Sequence, residues 1–164
     1  MKYSELCEVY ERLSLTSKRL EKILIISEFL KKLAKSKGDN KWIYLLRGRV
    51  LPDYDAREYG ISRQLIIKVI SKSSGVSSDH IVKELNKIGD LGQVAENLMG
   101  KKKQSTLYHA SLSVGKVFEN LTKLFELEGK GSVDKKVSLV AELLSNADGK
   151  EAKYLIRTVL ADLR

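Results

Sequence analysis

Apolar residues recur at three- and four-residue spacing along almost the whole chain, and period-two alternation is essentially missing. The pattern predicts a first helix capped by Ser4 and running to about Leu13. A longer one follows over TSKRLEKILIISEFLKKLAKS, apolar almost all round in its middle and therefore expected at the centre of the fold. Asp39 opens a short helix that turns Trp42, Leu45 and Leu46 inward. LPDYDAREYG, with the only proline, reads as a structured loop. Ser62 caps the next helix, Ser77 or Ser78 the one after, and GDLG is a turn leading into QVAENLM. KKKQSTLYHA has no clear period and is the best boundary between two halves, near residues 100–110. Ser113, Ser132 and Asp148 then start three more helices. The expected fold is all-α, a compact bundle of about nine helices joined by short loops, without a tetratricopeptide, HEAT or ankyrin period.

The last helix, EAKYLIRTVLADLR, places Ala152, Leu155, Ile156, Val159, Leu160 and Leu163 on one side. Lys150, Lys153, Arg157 and Arg164 fall on the other as a cationic stripe. Asp148 with Glu151 three residues on reads as a variant capping box. No Gly, Asn or Pro follows Leu163 to stop the helix, which predicts a longer parent chain.

Charge adds a partner class to this picture. The 164 residues carry 30 Lys and Arg against 21 Asp and Glu, a net charge of +9. The excess is dispersed, 18 against 13 in residues 1–100 and 12 against 8 beyond, which suits a polyanion better than a basic tail would. A lone Cys7 on the apolar side of the first helix excludes a disulfide framework. With His80 and His109 far apart and no second cysteine, a zinc site is not expected. MKYSELCEVYERL carries acids, unlike a secretory signal, and no run approaches the ~20 apolar residues of a membrane span. The expected compartment is reducing and cytoplasmic, beside the nucleoid.

No Walker loop, G-x-S-x-G, H-E-x-x-H or Cys/His pair is present, so no catalytic residue is assigned. Asn146–Lys150 brushes against K-x-D-G, but an asparagine stands where the nucleophilic lysine would be. Gly89–Gly92 reads as a turn rather than a phosphate cradle. Two helix starts followed by cations do suit a phosphate backbone: Thr16, Lys18 and Arg19, and Gly131, Ser132, Lys135 and Lys136. Unpaired amides and partial positive charge at such starts, with a hydroxyl and a lysine nearby, grip DNA without reading bases. Lys150, Lys153 and Arg164 join them as candidate DNA contacts. Gln104, Thr106, Leu107 and Tyr108 have the look of a short sliding-clamp peptide, a glutamine for a polar pocket ahead of bulky residues for an apolar one. The alternative for that segment is a loop pinned by Leu107 and Tyr108 on the domain's own core.

Together these stretches resemble the N-terminal DNA-binding domain of archaeal and eukaryotic replicative-type ATP-dependent DNA ligases, the archaeal members most. MKYSELCEVYERL, PDYDAREYGISRQLIIKVIS, IGDLGQVAENL, GKGSVDKK and EAKYLIRTVLADLR carry the resemblance in the family's order over nearly the whole chain. It implies two pseudo-symmetric helical halves and sequence-independent binding of duplex and nicked DNA across the minor groove. It implies a monomer that needs no cofactor itself, with ATP and Mg serving adenylation and OB-fold domains that lie outside this chain. Gly131, Ser132, Lys135 and Lys136 match a phosphate-contacting helix start, and Arg164 matches an arginine near the DNA. Asp162 departs from the family pattern. Two other readings fit the residues alone: a protein-interaction module for a sliding clamp or another acidic replication partner, and a small autonomous enzyme.

Overall fold

The computed structural model describes residues 2–35, 40–101 and 111–163, and among them the chain forms nine α-helices. These are α1 (Tyr3–Ser14), α2 (Arg19–Lys35), α3 (Lys41–Leu46), α4 (Arg63–Ser74), α5 (Ser78–Ile88), α6 (Leu91–Lys101), α7 (Val114–Lys123), α8 (Ser132–Ser145) and α9 (Gly149–Val159). The fold is all-α; an isolated antiparallel bridge between Lys2 and Ser113 is the one strand-like feature among the described residues. It explains why α1 starts earlier than Ser4: Tyr3 is fully buried and its N–H donates to the Leu112 carbonyl at 2.7 Å. Lys2 therefore precedes the first turn, and its N–H donates to Glu5 Oε1 at 3.2 Å.

Side-chain caps fix most of the other starts. Ser62, Ser77 and Ser113 accept from the amides of Leu65, His80 and Lys116. Asp148 accepts from the Glu151 amide at 2.8 Å while Glu151 accepts from the Asp148 amide at 3.0 Å. Such caps are worth about 0.5–2 kcal/mol each. The GDLG turn works the same way: Gly89 closes α5 in the left-handed region, and Asp90 Oδ1 takes the amides of Gly92 and Gln93.

Helix α9 is the centre. It packs on α6 and α1, and α8 packs on α4, so the last two helices are joined to helices from the first hundred residues. α6 and α9 approach at glycines. A Cβ at Gly149 would stand 2.9 Å from the Glu96 carbonyl, and one at Gly92 would stand 2.9 Å from the Lys153 carbonyl. Neither contact is possible for a real side chain, so these glycines set how close the helices come.

Two expectations change here. α2 is not central: only Ile25, Phe29 and Leu33 are buried, beneath α1 and Trp42. And α9 does have a stop. Ala161 takes φ 56°, its N–H donates to Thr158 O, and the Asp162 N–H donates to Arg157 O at 2.8 Å. This is the paired hydrogen bonding of a Schellman ending, with alanine where glycine is usual. The absent glycine therefore says nothing about chain length. Asp39 lies outside the described residues; α3 follows Asn40 and buries Trp42 and Leu45, with Leu46 half-buried against the core.

Candidate nucleic-acid interface

Helix α8 begins without a side-chain cap, in contrast to α4, α5, α7 and α9. Gly131 precedes it at φ 80°, a conformation that costs a side chain about 1 kcal/mol or more. Ser132 is the first helical residue rather than the cap. Its first-turn amides thus keep their donors unclaimed by side chains, next to Lys135 and Lys136. The two lysines differ. Lys135 is exposed and has no ion pair among the described residues. Lys136 is half-buried and its Nζ donates to the Tyr59 carbonyl at 3.2 Å.

That bond joins α8 to the loop between α3 and α4, which brings three arginines. Arg47 pairs with Asp53 at 2.7 Å and Arg49 reaches the same carboxylate at 3.7 Å. Arg57 pairs with Asp55 at 2.7 Å and lies over the Phe125 ring, 5.5 Å from its centroid. Tyr59 stacks against the same ring at 5.1 Å. The loop, Phe125 and the end of α9 line an open groove that the guanidiniums rim. The pairs of Arg47 and Arg49 with Asp53 are solvent-exposed, so they hold their arginines weakly and can be exchanged for a phosphate; Asp55 is largely covered and is held by both nitrogens of the Arg57 fork, while Arg57 itself stays exposed. Hydrogen bonds from Arg47 and Arg57 keep Asp53 and Asp55 below the usual carboxylate range.

The other predicted contacts scatter. Thr16, Lys18 and Arg19 lie at the turn into α2, which packs mainly on α1. There Glu21 has already claimed the cluster: it accepts from the Thr16 hydroxyl and pairs with Lys18 at 2.9 Å, leaving Arg19 exposed. Lys150 is exposed at the start of α9. Lys153 is not on a cationic stripe. It is 8% exposed and pairs with Glu11 at 3.2 Å and Glu96 at 3.5 Å, because α1 and α6 cover the face on which it stands. Arg157 likewise pairs with Asp90. Arg164, Gln104, Thr106, Leu107 and Tyr108 lie outside the described residues.

Residues 2–164 match the family described as DNA ligase N terminus. The chain belongs to the family of DNA ligase N-terminal domains. It is 40% identical over 99% of its length to a DNA ligase of Methanosphaera stadtmanae, covering 29% of that protein. It is 38% identical over its full length to one of Methanobrevibacter smithii and 39% to one of Methanopyrus kandleri, covering 30% and 29% of them. The chain thus spans under a third of the length of the curated ligases it matches.

Within this ligase domain, sequence reading missed Arg47, Arg49 and Arg57. A signal was available: three arginines within eleven positions, around the one proline, with glycines at 48 and 60. Gly48 at φ 72° lies against Leu163, and Gly60 at φ 64° leaves space for Lys136 Nζ, 3.1 Å from where a Cβ would be. Asp162 pairs with Arg63 at 3.5 Å and helps close α9. Among the described residues no three His, Cys, Asp or Glu side chains converge as a metal would require, and no helix is long and apolar enough to cross a membrane.

Proposed function

We propose that this chain is a sequence-independent duplex-DNA grip, holding intact or nicked DNA through the phosphate backbone and minor groove for ligation by catalytic domains outside it. The observation that carries the reading is the match of residues 2–164 to the ligase N-terminal family. The uncapped start of α8, with Lys135 and the arginine-bearing loop beside it, supports it as the contact surface. Helix-start amides and guanidiniums suit phosphate oxygens and carry no base information. The chain itself transfers no group; ATP and Mg serve the adenylation and OB-fold domains of the parent enzyme, and the protein acts in the cytoplasm at the nucleoid. Gln104, Thr106, Leu107 and Tyr108 are the residues for a sliding-clamp contact, on sequence grounds alone.

Fluorescence anisotropy with nicked and intact duplexes at several salt concentrations tests this. Binding should be indifferent to sequence, and log K should fall with log salt by about 0.9 per neutralised phosphate. Lys135→Ala should lower affinity and reduce that slope by about 1, with an unchanged melting temperature. Arg57→Ala should lower affinity and the slope likewise. No binding at low salt would remove the reading for this chain, and an unchanged slope in both variants would move the contact surface elsewhere.

A further inference from the structure

Helix α2 carries two apolar stripes, and only one is covered. Ile25, Phe29 and Leu33 face α1 and Trp42. Roughly half a turn away, Leu20, Ile23, Leu24 and Leu30 follow i, i+3, i+4, i+10, with Ser27 and Ala34 completing the face. All four are exposed, Leu20 by 79% and Leu24 by 57%. Single exposed leucines are ordinary; a helical row of them marks an interaction surface.

The charges bordering the row define its partner. Glu21 and Glu28 are engaged, by Lys18 at 2.9 Å and Arg12 at 2.8 Å. Arg19, Lys31 and Lys35 lie along the row, exposed and with no ion pair among the described residues. We propose that the outer face of α2 docks an acidic amphipathic helix of a partner protein, its apolar seam on Leu20, Ile23, Leu24 and Leu30 and its carboxylates against the unpaired cations. A second copy of this chain would bring the same unpaired cations and another +9 of net charge. Duplex DNA would satisfy the cations but leave the leucines in water. Helix pairing along such a face is an established recognition mode.

The test uses two fluorescent helical peptides of about 18 residues with the same leucine seam, one flanked by Glu and one by Lys. The acidic peptide should bind the chain saturably, and the basic one at least about tenfold more weakly, a difference of roughly 1.4 kcal/mol. Leu20→Ser with Leu24→Ser should weaken the acidic peptide at least about tenfold while leaving helicity and DNA affinity intact. Lys31→Glu with Lys35→Glu, which spares the apolar row, should reverse the preference between peptides. Equal binding of both peptides, no binding of the acidic one, or indifference to both double variants would overturn the proposal. So would a dimer in sedimentation, or flotation with phosphatidylserine vesicles, that the leucine variant abolishes while the acidic peptide fails to bind.

Discussion

Helix α9 keeps Lys153 almost out of solvent, while α2, six residues longer, leaves four large aliphatic side chains in it. The two helices differ in what their neighbours bring. α1 and α6 lie along α9 and supply Glu11 and Glu96 to one lysine. The α5–α6 turn supplies Asp90 to Arg157. Tyr154 closes the group: its hydroxyl donates to Glu11 Oε2 at 2.5 Å, and both cations lie near its ring. Among the described residues α2 packs mainly on α1, with Trp42 of α3 against Phe29, so one row of apolar residues suffices to hold it and the other is left over. Burial follows the number of covering elements, and a charged residue goes inside when a partner arrives on another element.

The largest effect should come from removing apolar volume at the centre. Leu155 is fully buried in α9. Leu155→Ala should cost about 2–5 kcal/mol in urea unfolding. A cost below 1 kcal/mol would mean that α9 is not the core element described.

Next is the polar seam of α9. Glu11→Ala leaves the Tyr154 hydroxyl without its acceptor and Lys153 with Glu96 alone, at 3.5 Å. The expected loss is about 2–4 kcal/mol, because the cost is that of stranding buried polar groups. The same seam predicts acid sensitivity. The Tyr154 hydrogen bond, assisted by Lys153, holds the Glu11 carboxyl below its ordinary range. Burial pushes Asp90 up, but Arg157 and the amides of Gln93 and Gly92 outweigh it and the net shift is downward. Both groups are more acidic folded than unfolded. Their contribution is complete above the unfolded values of about 4 and is lost as pH falls through the folded ones. Stability should drop on acidification below about pH 4, and less steeply in Asp90→Asn. An unchanged acid slope in that variant would assign the loss to other carboxylates.

How much of this was legible beforehand divides along the same line. Helical period, Ser and Asp caps and the capping box at Asp148 are local, and the sequence carries them. The family resemblance was legible too, since it rests on ordered stretches rather than on geometry. Partner choice between elements was not. Lys153 stands three residues from Lys150, and nothing near it in sequence indicates that Glu11, 142 positions away, takes it out of solvent. The stop at Ala161 was hidden for a different reason. Its hydrogen bonds are backbone ones, and alanine gives no compositional sign of a left-handed residue. The arginines of the 47–57 loop stand outside any helical period, so their clustering and the proline and glycines among them are the signs of a fixed loop.

The smallest effect sharpens the comparison most. Within α2, Phe29 is 5% exposed and packs 5.7 Å from the Trp42 ring, while Leu24, five residues earlier, is 57% exposed. Phe29→Ala should cost about 3–5 kcal/mol, as a core aromatic does. Leu24→Ala should stay within about 0.5 kcal/mol of zero, since alanine keeps the helix propensity and the leucine has little packing to lose. The pair is measured by urea unfolding of the isolated chain, without any partner. If Leu24→Ala also cost several kcal/mol, its side chain would have to be covered in the free protein, and the second stripe of α2 would be core after all. A value near zero leaves a leucine row whose conformational role is nil, so that whatever it does, it does in contact with something else.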